Sequence, residues 1–278
     1  MTTLLSKRET DALLLLGCYR YLGRRQLQEF LLSGSETTPL SREVIGKRVL
    51  ASLRSKRLVA TTKRLVGGPG GGSTRLGYYL TTSGIRLARS LNPDLPARRP
   101  ASGGTFLMQH ALMTADVALG FGRAALSHPG HELLDWECDW QAAAQLGSSP
   151  VVPDARLIYA TADHEVDALV EIDLGTEGTR FFARKILSYL NIFRSRDWQK
   201  RLPQWPVVLT VTRDDARAMA LQRCTESVLQ SQIDRERLLI QTEFAFAGLP
   251  DVVDDPLAIV WRIAGRNGRH ALLDGRHL

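Results

Sequence analysis

The segments VVPDARLIYA (151–160) and EVDALVEIDLGTE (165–177) alternate apolar and polar residues at the period of half-buried strands, and only Thr161 to His164 separate them. A gap that short permits one connection, an antiparallel hairpin, because parallel strands need a crossover of a dozen or more residues. With those four residues as the turn, residue 160 faces 165, 158 faces 167, and Asp154 faces Glu171. Period-two alternation puts Asp173 on the side of Glu171, so three carboxylates are expected at one end of the hairpin. Like charges directly opposite are destabilising, so such a cluster needs raised pKa values or a bound cation. Oxygen-only ligands favour Mg²⁺ or Mn²⁺ over zinc, which makes Asp154, Glu171 and Asp173 candidate metal ligands and candidate catalytic residues.

The surrounding sequence alternates strands and helices. HELLDWECDW reads as a strand, TRFFARKILSYLNIF as a helix, WPVVLTVT as a buried strand, residues 214–232 as a long helix, and RLLIQTEFAF and LAIVWRIAG as further strands. This is an α/β pattern. In the helix after the hairpin, Lys185 and Tyr189 are spaced i, i+4 and share a face with Phe182, while Phe181, Leu187 and Leu190 are expected to cover the sheet. Carboxylates holding a divalent ion, with a lysine to steady an activated water or a phosphate oxygen, are the parts of metal-assisted phosphodiester hydrolysis. Lys185 and Tyr189 therefore join the catalytic candidates. His110, and the pair His128 and His131 around Pro129-Gly130, read as packing and turn residues. Cys18, Cys138 and Cys224 have no Cys or His at metal-ligand spacing.

Charge is divided unevenly. Residues 1–105 hold 18 Lys and Arg against 6 Asp and Glu, whereas the remainder holds 18 against 23. A polyanion would dock on the N-terminal third. There, residues 6–22 carry apolar side chains at helical spacing, RRQLQEFLL reads as a second helix, and Thr38-Pro39 opens a third. In that third helix Leu40, Val44, Ile45, Val49 and Leu53 are expected inside, with Arg42, Glu43, Lys47, Arg48 and Arg54 outside, and Gly46 allowing a close approach to another surface. LVATTKRLV and RLGYYLTTSG around GGPGGGST read as a β-hairpin. Three helices and a hairpin are the order of a winged helix-turn-helix, with the third helix in the DNA major groove and Lys63, Arg64 and Arg75 on the wing near the phosphates. The same charged helix would suit a protein–protein adaptor; the excess of positive charge favours nucleic acid.

The expected organisation is a DNA-binding domain over residues 1–92, a Pro, Gly and Arg-rich linker over 93–105, and an α/β domain over 106–278. The N-terminus has too short an apolar core and too many charges for a signal peptide or a membrane span, which places the protein in the cytoplasm with no membrane partner. The basic C-terminal stretch WRIAGRNGRHALLDGRHL, with Asn267-Gly268 as a turn, is expected to offer phosphate contacts or to form a solvated terminal hairpin.

The landmarks VPDARL, VEIDLGTE, KILSY and WPVVLTVT, together with SKRETDALLLL, YYLTTSG and QHALMTADVAL, resemble the replication-relaxation family of bacterial and plasmid-borne proteins. The carboxylate segment is also similar to the PD-(D/E)XK nuclease core, the restriction-endonuclease-like fold with a mixed sheet. That resemblance matches Asp154 to the motif's aspartate and Glu171 to its second acid. Asp173 stands where the motif has lysine; Lys185 would be a migrated substitute, and Tyr189 would complete the helical Gln-x-x-x-Tyr element with Lys in place of Gln. The resemblance implies a double-stranded-DNA-binding regulator of replication or transcription on a plasmid or mobile element, with a nuclease-like domain that has lost cleavage and serves dimerisation or extra DNA contact. Its alternatives are an active Mg²⁺-dependent endonuclease and an accessory adaptor to a replication or relaxase machinery.

Overall fold

A computed structural model describes residues 4–33, 38–62, 76–100, 105–147, 150–176 and 178–274. The chain divides into two compact units, Met1–Leu119 and Gly120–Leu278. Both mix helix and strand.

The first unit opens with α1 (Lys7–Tyr19), β1 (Leu22–Gly23), α2 (Arg24–Leu32) and α3 (Pro39–Ser55). Ser6 and Glu9 form a reciprocal capping box at α1, and the Thr38 side chain accepts from the Ser41 N–H at the start of α3, with Pro39 in the first turn. These caps satisfy N–H groups that a helix start otherwise leaves unpaired. β2 (Val59–Thr61) and β3 (Gly77–Leu80) pair antiparallel with Thr61 opposite Tyr78, and β1 joins the other edge to give the order β1-β3-β2. The loop between β2 and β3, with Lys63, Arg64 and Arg75, lies outside the described residues. α4 (Thr82–Leu91) follows, capped by Thr81. α5 (Thr105–Ser127) contributes Met108 and Leu112 to a cluster around Tyr21.

The packed side of α3 differs from expectation. Gly46, Val49, Leu50 and Leu53 are buried, whereas Leu40 and Val44 are exposed. At 100° per residue the buried four occupy one sector and Leu40 and Val44 the opposite one, so the stripe runs from Gly46 rather than from Leu40. Gly46 fixes that sector: a Cβ there would meet the Gln28 side chain of α2 at 2.2 Å. The two helices pack as closely as they do because the side chain is missing.

The second unit is built on β4 (Glu132–Cys138), α6 (Asp139–Gln145), β5 (Ala155–Ala160), β6 (Glu165–Asp173), α7 (Thr179–Ser195), β7 (Val207–Thr212), α8 (Asp215–Gln230), α9 (Arg235–Gln241), β8 (Phe244–Gly248), α10 (Leu249–Asp254) and β9 (Arg262–Ile263). The six strands form one mixed sheet in the order β4-β5-β6-β7-β8-β9. β6, β7 and β8 run parallel through crossover helices, and the outer pairs are antiparallel. The β5–β6 register pairs Ala160 with Glu165 and Ile158 with Asp167, as the four-residue turn dictates.

Leu169, Phe182, Ile186, Tyr189, Leu190, Val208 and Phe246 belong to the core between the sheet and its covering helices. On α7 the buried stripe therefore starts at Phe182; Phe181 and Leu187, expected against the sheet, are exposed. Two expected strands also change type. Residues 235–241 are helical before β8 begins at Phe244, because a short apolar run such as LLI fits either period. LAIVWRIAG supplies only the two residues of β9, plus an isolated bridge from Trp261 to His270 across a turn in which Gly268 has φ +81°.

Candidate functional site

The hairpin sets the first two acids together. Asp154 precedes β5; its N–H donates to the Val170 carbonyl at 2.9 Å, and its Oδ2 accepts from the Ile172 N–H at 2.8 Å. That pattern places it across from Glu171, which is 2% exposed. Tyr189, one turn beyond Lys185 on α7, donates from its hydroxyl to Glu171 Oε1 at 2.5 Å, and the Lys185 ammonium donates to Oε2. Burial raises the Glu171 pKa to about 7; Asp154 pushes the same way, and Lys185 and Tyr189 oppose it. Burial, and then the neighbouring Glu171, hold the Tyr189 phenol well above its usual range.

Asp173 does not join them. Its carboxylate takes a bidentate pair from Arg217 on α8, Nε at 2.8 Å and Nη2 at 2.9 Å, and also accepts from the Gly175 N–H at 2.7 Å. Gly175 sits at φ +73°, a conformation that suits glycine and closes this tight turn. The three carboxylates expected to converge are thus divided: two meet Lys185 and Tyr189, and the third is neutralised by an arginine 44 residues later in the chain. Alternation predicted the face of Asp173 correctly, but nothing in its spacing points to Arg217.

The acids here are met by protein donors. Both Glu171 oxygens, both Asp173 oxygens and Asp154 Oδ2 already accept hydrogen bonds from protein donors. Among the described residues no three His, Cys, Asp or Glu side chains form a group able to hold a metal ion. What the geometry offers is a buried carboxyl that titrates near neutrality beside a lysine and a tyrosine.

A second ion network lies on the same sheet face and was not foreseen. Arg156 donates to both Asp167 oxygens at 2.7 Å and lies 3.3 Å from Glu137 Oε2, all three being buried. The three residues come from adjacent strands, so their carboxylates are compensated at their own end of the sheet.

In the first unit, the candidate DNA-binding residues of α3 separate as well. Lys47, Arg48 and Arg54 are exposed. Arg42 is half-buried, on the side of the helix that packs inward. Glu43 accepts from Lys47 at 2.8 Å and lies 3.7 Å from Arg24. An open groove of about 670 Å³ beside α3 is lined by Ala51, Arg54, Ser55, Arg57, Ala60 and Thr61. Arg57 was missed from the sequence because it stands past the helix end; its backbone has φ +56° and its carbonyl accepts from the Thr81 hydroxyl. Among the described residues of the basic C-terminal stretch, Arg262 pairs with Asp215, Arg266 with Glu243, and Arg269 with Asp215 and Asp251, while Arg276 lies outside the described residues. Among the described residues no helix is long and apolar enough to cross a membrane.

Comparison with solved structures returns the restriction endonuclease FokI, at 8% identity over 88% of this chain and 68% of that one with a TM-score of 0.24, and FokI bound to DNA, at 10% identity over 88% and 65% with a TM-score of 0.22. No curated protein matches. The replication-relaxation family profile matches residues 13–208, most of the chain and both of its units, including Asp154, Glu171, Lys185 and Tyr189. The chain belongs to the replication-relaxation family.

Proposed function

We propose that the protein binds double-stranded DNA through a winged helix-turn-helix in residues 1–92 and acts in replication or transcription control on a bacterial plasmid or mobile element. Its setting is the cytoplasm. The observation that carries this reading is the exposed basic side of α3, where Lys47, Arg48 and Arg54 stand clear of the packed sector and Arg54 and Arg57 line the adjacent groove. Two antiparallel strands placed after that helix are where a wing would stand. Cations on a helix and beside a groove neutralise phosphates and release counterions, so binding should weaken steeply as salt rises.

Residues 106–278, joined through 93–105, form in this reading a restriction-endonuclease-like domain that has lost cleavage. The cations paired with Glu171 and Asp173, Lys185 and Arg217, support that view, since a nucleolytic site would offer those acids to a metal ion. Lys185 pairs with Glu171. The domain then contributes additional DNA contact or a homodimer interface, or it engages the replication or relaxase machinery.

Two measurements test the reading. Retention of a duplex from a randomised pool should fall about three- to tenfold in Lys47→Ala or Arg48→Ala, and the slope of affinity against salt should flatten by about 1 for each phosphate no longer neutralised. Salt-insensitive binding would favour a protein adaptor instead. Supercoiled plasmid incubated with the protein and Mg²⁺ or Mn²⁺ should stay intact. Nicking that disappears in Asp154→Ala would establish the endonuclease.

A further inference from the structure

The exposed sector of α3 is not uniformly basic. Leu40, 72% exposed, and Val44, 38% exposed, head a stripe that continues through Lys47, Arg48, Ala51 and Arg54 at three- and four-residue spacing. The helix has an ample core sector of its own in Gly46, Val49, Leu50 and Leu53, so this apolar pair is surplus to folding of the unit. It also lies in the first two turns, directly after the Thr38 cap. In helix-turn-helix proteins the N-terminal residues of the recognition helix approach base edges, and an apolar side chain there can meet the C5-methyl of thymine, which only the major groove presents.

We infer that Leu40 and Val44 read thymine methyl groups in the major groove of duplex DNA while Lys47, Arg48 and Arg54 on the same stripe hold the phosphates. This rests on the DNA-binding reading above and names its specificity. Charge argues for this occupant: the apolar pair runs straight into the exposed Lys47, Arg48 and Arg54, and the one carboxylate on this helix, Glu43, is paired with Lys47.

The test uses a duplex recovered by the full chain from a randomised pool, then remade with deoxyuridine for thymidine, which removes only the methyl groups. The wild type should bind the uracil duplex about fifteenfold more weakly, from about fourfold per buried methyl at two contacts. Leu40→Ala/Val44→Ala should lose a similar factor on the thymine duplex and nothing further on the uracil duplex, with an unchanged melting curve because both positions are exposed. Equal wild-type affinity for the two duplexes, with Lys47→Ala still weakening both, overturns this inference alone. A change of oligomeric state in the double variant assigns the pair to self-association and overturns it too. If no duplex in the pool is retained, the DNA-binding reading falls and this inference falls with it.

Discussion

Each unit buries one glutamate against a lysine, and the two are driven in opposite directions. Glu9, 6% exposed, accepts from the Ser6 N–H at 2.7 Å and from the Ser52 hydroxyl and Lys56 ammonium, both at 2.6 Å. Burial works to raise its pKa, but those donors outweigh it and bring the group down to about 2. Glu171 has two side-chain donors, a like charge at Asp154, and a place between the sheet and α7 where burial costs more; its pKa rises to about 7. Inaccessibility to water is nearly the same in the two cases. What separates them is depth, the number of donors and the sign of the neighbour. Glu9 is an anion that its donors stabilise, whereas burial and Asp154 hold Glu171 toward its neutral form.

The largest effect should come from breaking the satisfied carboxylate. Glu9→Gln removes a charge that the N-terminal unit stabilises, and should lower stability at pH 7 by about 2 kcal/mol. All five tryptophans lie at 136–261, so the measurement for this unit is amide exchange in α1 and α3 rather than tryptophan fluorescence. The sign follows from a depressed pKa: the contribution of Glu9 is present above about 4.5 and is lost as pH falls toward about 2. Unchanged protection in the variant would remove one side of the contrast.

Glu171→Gln should have a smaller effect and the opposite pH dependence. A raised carboxyl pKa gives stability that is complete below about 4.5 and lost as pH rises through about 7. Glutamine carries no charge to bury and can still accept from Tyr189. Between pH 5 and pH 8 the variant should therefore gain on the wild type by about 1–2 kcal/mol, read from urea unfolding by tryptophan fluorescence. A wild type that instead gains on the variant over that range would make Glu171 a second Glu9.

How much of this contrast was legible before folding depends on the range over which each signal acts. The Asp154–Glu171 pairing follows from a four-residue turn and alternation, both local, and so do the Thr38 cap and the i, i+4 placement of Lys185 and Tyr189. The ion pair of Asp173 with Arg217 spans 44 residues and depends on how α8 packs, which no local period encodes. The same holds for Ser52 and Lys56 on Glu9, 43 and 47 residues away. On α3, Leu40, Val44 and Ile45 imitate a core stripe, but the close approach of Gly46 to Gln28 decides which side packs. Residues 235–241 are helical because the short run LLI fits either period, and the helix turns Leu238 and Leu239 toward the core.

The smallest effect should be the most discriminating, because Lys56 and Lys185 are matched in exposure at 27% and 31% and each serves one buried glutamate. Lys56→Met strands Glu9 as an anion at pH 6 and should cost about 1–2 kcal/mol. Lys185→Met removes the group that lowers the Glu171 pKa, so at pH 6 the carboxyl keeps its proton, Tyr189 remains its partner, and the methionine still covers the apolar stem. The cost there should stay near 0.5 kcal/mol. It should grow by pH 9, where the carboxyl must ionise without a cation beside it. Equal losses for the two lysines at pH 6 would mean that Glu171 is held as firmly charged as Glu9, and the case for a spent catalytic carboxylate would lose its physical basis.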